Sequence, residues 1–261
     1  MDIKIKSFKT LDEQLSYLTF HKKVDFEQRQ NAKQVLFDSN YYNLISCGKI
    51  KFAHEIREQK HHYDVSTFTD WEAYFEKDYR LSEHLMINVL AFERVINSRT
   101  AYLISELIAH EKLSEAEFES LVHTIQGKYN YTNYKDVNTW EHITKKTFGE
   151  LRHIIKWLWR NRKTETVLQI FEGYPFLKNH TLKLLDELVN LRNNSFYFRP
   201  INIYLVYGNT RGHHSQYKTQ KKIVEAMCFQ TPCDIVKPYM IEIFRNTKRF
   251  IDIKKQSISI D

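Results

Sequence analysis

Apolar positions along this chain recur at three- and four-residue spacing over most of its length, a rhythm that predicts helices. Thr10 and Glu13 make a capping box ahead of Leu11, Leu15 and Leu18, so a first helix is expected to about His21. A second is expected from about Asp25, with Phe26, Ala32, Val35 and Leu36 inward, ending near Tyr42. Residues 43–66 are weakly periodic and hold Gly48, so a loop-rich excursion with at most a short helix is expected there. From Thr69 onward Trp71, Tyr74, Leu81, Leu85, Val89, Phe92, Ile96, Tyr102 and Leu107 keep one inward face, which predicts a long central helix or two nearly continuous ones.

Ser114 with Glu117 and Thr147 with Glu150 are two further capping boxes. Between them 127–138 reads as a polar, aromatic loop, and helix resumes near Thr139. A short helix from Thr164 ends at Gly173, with Pro175 beyond it. The next carries Leu182, Leu185, Leu188 and Val189 and is closed by Pro200, because the residue before a proline is pushed out of the helical region. Ile201 to Tyr207 is β-branched and alternating, which predicts a short strand, and two last helices are expected over about 217–229 and 234–253. The expected fold is therefore an all-α helical bundle with added N- and C-terminal helices and at most one short β element. Residues 1–205 would form the main helical domain, and 206–261 a C-terminal appendage packed on the same core.

Composition sharpens this picture. Six glycines and four prolines in 261 residues are too few turn-formers for a many-stranded sandwich or barrel, while 42% hydrophobic residues suffice for a sizeable core. The three cysteines, Cys47, Cys228 and Cys233, are odd in number and scattered, which fits buried free thiols in a reducing compartment. The first six residues lack a signal-peptide core and no apolar run approaches about 18 residues, so a soluble cytoplasmic protein without membrane contact is expected. Thirty-nine basic against 32 acidic residues give a net charge of +7, compatible with a polyanionic partner without requiring one. Basic residues gather at Arg152, Lys156, Arg160, Arg162 and Lys163, and again at Arg245, Lys248, Arg249, Lys254 and Lys255. Two solvated helix faces would look the same.

Candidate chemistry concentrates in Leu191–Phe198. Arg192 and Asn193 close an apolar helix, where a guanidinium can hold two phosphate oxygens at once. The competing structural roles are neutralisation of end-of-helix carbonyls by Arg192 and a simple cap by Asn193. Lys128 and Lys135 beside Tyr129, Tyr131 and Tyr134 could hold phosphates and stack unpaired bases, or simply pack on the core. The adjacent pairs His61-His62 and His213-His214 lack the spacing of a metal site, although His213 or His214, near Arg211, could act as a base. No Walker, GxSxG or Rossmann pattern occurs, which argues against the enzymes that use them.

Arg192-Asn193 followed by Tyr197 resembles the active-site motif of the HEPN ribonucleases, an Arg, four residues and a His, with Tyr197 standing at the histidine. Separate pieces appear in the order found in the Abi-like abortive-infection proteins, the AbiD and AbiF type, of that superfamily. They are Asn40-Tyr41-Tyr42-Asn43-Leu44, Phe68-Thr69-Asp70, Phe92 through Arg99, Thr147 through Leu151 and Leu191-Arg192-Asn193. Together they cover roughly residues 10 to 200. The resemblance implies an all-α homodimer that faces two copies of the motif across a cleft and cleaves RNA without metal or cofactor, in some members under the control of an inhibiting RNA or antitoxin protein. It also implies that Glu93 fixes the motif arginine; Asn97 stands where the family often has a basic residue, with Arg99 the nearest charge.

On this reading Arg192, Asn193, Tyr197 and Glu93 are the catalytic candidates, and Arg152, Lys156, Arg160, Arg199, Lys128 and Tyr131 the RNA-binding ones. Tyrosine, with a pKa of about 10, is a poor base at neutral pH, though it can donate a proton or a hydrogen bond. Five helical residues also turn Tyr197 about 140° from Arg192, and Tyr197 could equally be packing between its aromatic neighbours. The expectation is an RNA-binding protein of bacterial antiphage defence with a degenerate endoribonuclease site. The alternatives are a non-catalytic RNA-binding or regulatory member and a structural helical interaction module.

Overall fold

The computed structural model describes residues 9–58, 60–126, 139–174, 177, 181–197, 199–207, 217–228 and 234–258. Their helices are α1 (Leu11–Lys22), α2 (Arg29–Asp38), α3 (Tyr41–Phe52), α4 (Phe68–Ala109), α5 (Glu115–Gln126), α6 (Thr139–Thr144), α7 (Phe148–Arg160), α8 (Thr164–Ile170), α9 (Thr181–Phe196), α10 (Ile201–Tyr207), α11 (Tyr217–Cys228) and α12 (Val236–Ile258). Four short strands accompany them: β1 (Val24–Asp25), β2 (Ala53–Arg57), β3 (Lys60–Tyr63) and β4 (Ser66–Thr67). The fold is all-α with a minor β element. All three capping boxes form, the backbone N–H groups of Glu13, Glu117 and Glu150 donating to the hydroxyls of Thr10, Ser114 and Thr147. No helix among the described residues is long and apolar enough to cross a membrane.

The chain divides into two compact units, one of residues 1–84, 194–221 and 232–261, the other of 85–193 and 222–231.

In the first unit Leu15, Leu18, Leu36, Leu44, Ile50, Trp71 and Phe250 form a fully or nearly fully buried core. The segment expected as a loop is α3 followed by an antiparallel hairpin in which Ala53 pairs with Tyr63 and Ile56 with His61. Gly48 suggested a break, yet it sits in mid-helix because its missing side chain makes room for a neighbour: a Cβ there would overlap the ring of Trp71. Helix α12 packs on α3 and on β2, covering the hairpin's inner face.

The strand expected over Ile201–Tyr207 is instead α10. A short apolar run cannot reveal its own period, and a distant side chain decides the matter. The fully buried carboxylate of Asp78 in α4 accepts hydrogen bonds from the backbone N–H groups of Ile201 (2.5 Å) and Asn202 (3.0 Å). These are first-turn donors that a helix cannot satisfy internally. Asn202 in turn donates through Nδ2 to the Cys47 carbonyl, 3.1 Å away in α3.

The second unit gathers Leu85, Val89, Phe92 and Ile96 of α4 with Leu121 of α5, Leu151, Ile154, Ile155 and Leu158 of α7, and Leu185 and Leu188 of α9, all buried. Buried Asn88 donates to the Met227 carbonyl at 2.7 Å, and the Trp157 indole to the Ser120 hydroxyl at 2.9 Å. Tyr102, counted above with the inward positions, is 63% exposed. Cys47 is a buried free thiol, Cys228 is buried as well, and Cys233 lies outside the described residues.

Two measurements probe this packing. Gly48→Ala is expected to destabilise the protein by about 1–3 kcal/mol through overpacking against Trp71, read as a lower denaturant midpoint with an unchanged m-value. Burial pushes the Asp78 carboxyl up to about 7, opposed by the two backbone donors. The folded state therefore keeps a proton that the unfolded chain, with an Asp pKa of about 3.9, has already released, and this group's contribution to stability falls as pH rises from about 4 to about 7. The stability of wild type relative to Asp78→Asn is expected to fall between pH 5 and pH 8 in equilibrium denaturation.

Candidate nucleic-acid interface

Within the second unit, Phe92 and Ile96 point α4 into the core and leave Glu93 beside them only 14% exposed. On α9 the buried Leu188 and Leu191 set the orientation of Arg192 in the same way. The two polar side chains meet: Arg192 Nε donates to Glu93 Oε2 at 3.2 Å, joining positions 99 residues apart. With Arg192 23% exposed, the pair is shielded from water without being sealed from it. Such a carboxylate restrains the long arginine side chain and fixes the direction of its planar fork.

The neighbouring differences from the expected pattern have structural roles. Asn97 Nδ2 faces the carbonyls of Thr144 (3.4 Å) and Lys146 (3.2 Å), holding the turn from α6 to α7. Arg99 donates to the carbonyls of Ile170 (3.2 Å) and Glu172 (2.5 Å), where its charge complements the C-terminal end of α8. Arg99 is therefore a helix-end cation.

Helices α7 and α9 are bridged by Asp186, whose carboxylate takes Lys156 Nζ at 2.7 Å and Arg152 at 3.4 Å. Both were expected as RNA-binding cations, and both are already partly neutralised across the helix pair. Arg160, one turn beyond Lys156, is exposed, as is Asn193. Asp186, Asn190 and Asn193 follow four- and three-residue steps, so Asn193 shares a face of α9 with the bridging carboxylate. His153, which the sequence argument passed over, is exposed beside Arg152, with Nε2 3.1 Å from a guanidinium nitrogen. Partial burial, then Arg152 and Lys156, hold its pKa below the ordinary value against the opposing pull of Asp186. That shift favours the neutral ring, the form able to accept a proton. The available signal was the polar stripe 152, 153, 156 and 160 of an amphipathic helix.

Tyr102 and Trp140, 63% and 43% exposed, line an open cleft of about 470 Å³ with Arg99. Two aromatic rings facing solvent beside a cation form a surface on which bases can stack. The aromatic residues singled out from sequence, Tyr129, Tyr131 and Tyr134, lie with Lys128 and Lys135 outside the described residues, as do Arg211, His213 and His214.

Tyr197 and Arg199 belong to the first unit. Tyr197 occupies the turn after α9, 64% exposed, edge-on to Phe196 at 5.4 Å. The Arg199 guanidinium lies 6.0 Å from the Tyr197 ring centre, and its backbone N–H donates to the Asn194 carbonyl at 3.0 Å. His61 and His62 point to different sides of β3: His61 is half-buried on the ring of Phe250, and His62 is exposed.

Compared with models of protein families, with curated proteins and with solved structures, the chain matches none.

A double-mutant cycle on Glu93→Ala and Arg192→Ala is expected to give a coupling energy of about 1 kcal/mol in favour of the pair. Equilibrium denaturation of the four proteins measures it, and a coupling near zero would show that the contact carries no orientation energy.

Proposed function

We propose that this chain is an RNA-binding protein of the Abi-like HEPN type, serving bacterial antiphage defence through abortive infection or a toxin–antitoxin pair, with Arg192 as the group that meets a phosphate. The observation that carries this reading is the Arg192–Glu93 pair, because it joins two distant positions in the relation that the sequence resemblance implies. Asn193 stands exposed next to the arginine, and Arg152, Lys156 and Arg160 supply further cations from α7. A phosphate chain crossing this surface would compete with Glu93 and Asp186 for their partners. Binding is then expected to depend steeply on salt. The same resemblance supports a homodimer presenting two copies of Arg192, and an inhibiting RNA or protein.

Metal-independent cleavage requires a base for the ribose 2′-OH, a cation for the crowded phosphorane, and an acid for the departing 5′-oxygen. Arg192 suits the second task. General acid–base help is worth about 10²–10⁴-fold, and Tyr197 is a poor substitute for histidine as a base, so any endoribonuclease activity is expected to be weak. The non-catalytic reading is favoured by two observations: Tyr197 rests edge-on against Phe196, and Asn97 is engaged with backbone carbonyls. In an active protein the proton acceptor we propose is His153, an exposed imidazole beside Arg152 on α7.

Gel-shift titrations with a single-stranded RNA across a series of salt concentrations test the binding reading. Arg192→Ala is expected to weaken affinity at every sequence and to lower the salt slope by about one. Unchanged affinity in that variant, or no salt dependence in wild type, would leave the structural-module alternative standing. Cleavage of the same RNA separates the other two: activity in wild type that drops in His153→Ala supports an enzyme, and activity gained only in Tyr197→His supports a protein that grips without cutting.

A further inference from the structure

A second set of cations lies wholly within the first unit. Lys22 at the end of α1 places Nζ 2.6 Å from the Tyr63 hydroxyl and 4.3 Å from the centre of that ring. Lys49 in α3 places Nζ 3.3 Å from the Tyr207 hydroxyl and 5.9 Å from the ring centre of Phe250. Lys254 in α12 lies 4.6 Å from the ring centre of Tyr207. Three ammonium groups from three helices therefore converge on a floor of aromatic rings, and none of the three is fully exposed.

Among the described residues no carboxylate pairs with any of them. The contrast with their neighbours on the same helices is direct, since Lys51 of α3 binds Glu242 at 2.9 Å and Lys248 of α12 binds Asp252 at 2.5 Å. Neutral phenols satisfy hydrogen-bonding geometry but leave the charge uncompensated. The repulsion registers on the cluster itself: burial and then Lys49 lower the Lys22 pKa to about 8, and burial followed by Lys49, Lys22 and Lys254 lowers that of His61 to about 4. Like charges gathered in a half-buried place cost stability unless an anion joins them.

We propose that Lys22, Lys49 and Lys254, with Tyr63 and Tyr207, form a binding site for a diphosphate group, free or as the phosphate end of a nucleotide. Three cations match the charge of a diphosphate, whose oxygens can take all three ammonium groups and both phenolic donors. Partial burial suits a compact anion better than an extended nucleic-acid backbone, which binds along an open track of cations. The site shares no residue with the Arg192 surface and stands independently of the RNA-binding proposal.

Isothermal titration of the full chain at low ionic strength with pyrophosphate, ADP and adenosine tests this. Pyrophosphate and ADP are expected to bind saturably at one site and adenosine not at all, with ADP the tighter ligand if a nucleotide is the natural source and pyrophosphate if the free anion is. Lys49→Gln is expected to weaken binding at least about tenfold, the scale of one lost charge-assisted hydrogen bond, and Lys248→Gln, whose ammonium is already paired with Asp252, to leave it unchanged. Without ligand, Lys49→Gln should melt no lower than wild type, because it removes repulsion. Lys254→Gln provides the same test should Lys49→Gln fail to fold. The proposal is overturned if neither pyrophosphate nor ADP saturates, if a folded variant binds as wild type does, or if only a 5′-hydroxyl RNA competes for the site.

Discussion

The first unit depends on a carboxylate kept out of water. Asp78 caps two backbone donors of α10 from the middle of α4, and α10 then delivers Asn202 to the Cys47 carbonyl of α3. Three helices separated in sequence are thereby joined through two fully buried side chains, Asp78 and Asn202. Desolvation opposes this arrangement, and the two backbone hydrogen bonds offset part of the cost. Removing the carboxylate would leave two buried N–H groups unpaired, which is why an acidic residue is tolerated in an otherwise apolar interior. The consequence extends to the lysine cluster, because α10 also carries the Tyr207 ring on which Lys49 and Lys254 converge.

Where the deciding physics is local, it is written in adjacent residues. Thr10 with Glu13, Ser114 with Glu117 and Thr147 with Glu150 each fix a helix start within four residues, and each is realised. The inward face of α4 follows in the same way from Trp71 to Ile96. Legibility ends where a distant partner decides. Gly48 looks like a break until Trp71 is placed against it, and Ile201–Tyr207 looks like a strand until Asp78, 123 residues away from Ile201, caps it as a helix. Tyr102 keeps the helical rhythm yet faces solvent, since spacing alone does not show where the core-facing stripe drifts off the packed side.

The candidate interface divides along the same line. Resemblance to a family motif, rather than local pattern, pointed to Glu93 as the partner of Arg192, because a contact between positions 99 residues apart leaves no periodic trace. Arg152 and Lys156 appeared as available cations, but Asp186 on another helix draws both toward itself. His153 was hidden for the opposite reason: it lies among basic residues, where an imidazole draws no notice, and only the folded chain shows that partial burial and the charges of Arg152 and Lys156 lower its pKa.

Charge that is clustered in sequence and charge that is clustered in space are different quantities in this protein. Of the basic run near the C-terminus, Lys248 is paired with Asp252 on its own helix and Arg249 donates to the carbonyl of Lys51 on α3, so neighbours in sequence turn to different partners. Lys254 alone of that run points back to join Lys22 and Lys49, two residues that look unremarkable in sequence because each is isolated from the basic run. A net charge of +7 is silent on this distinction. What separates a solvated helix face from a binding site is whether a carboxylate answers each cation, and at this one convergence of three helices the described residues supply only phenols and rings.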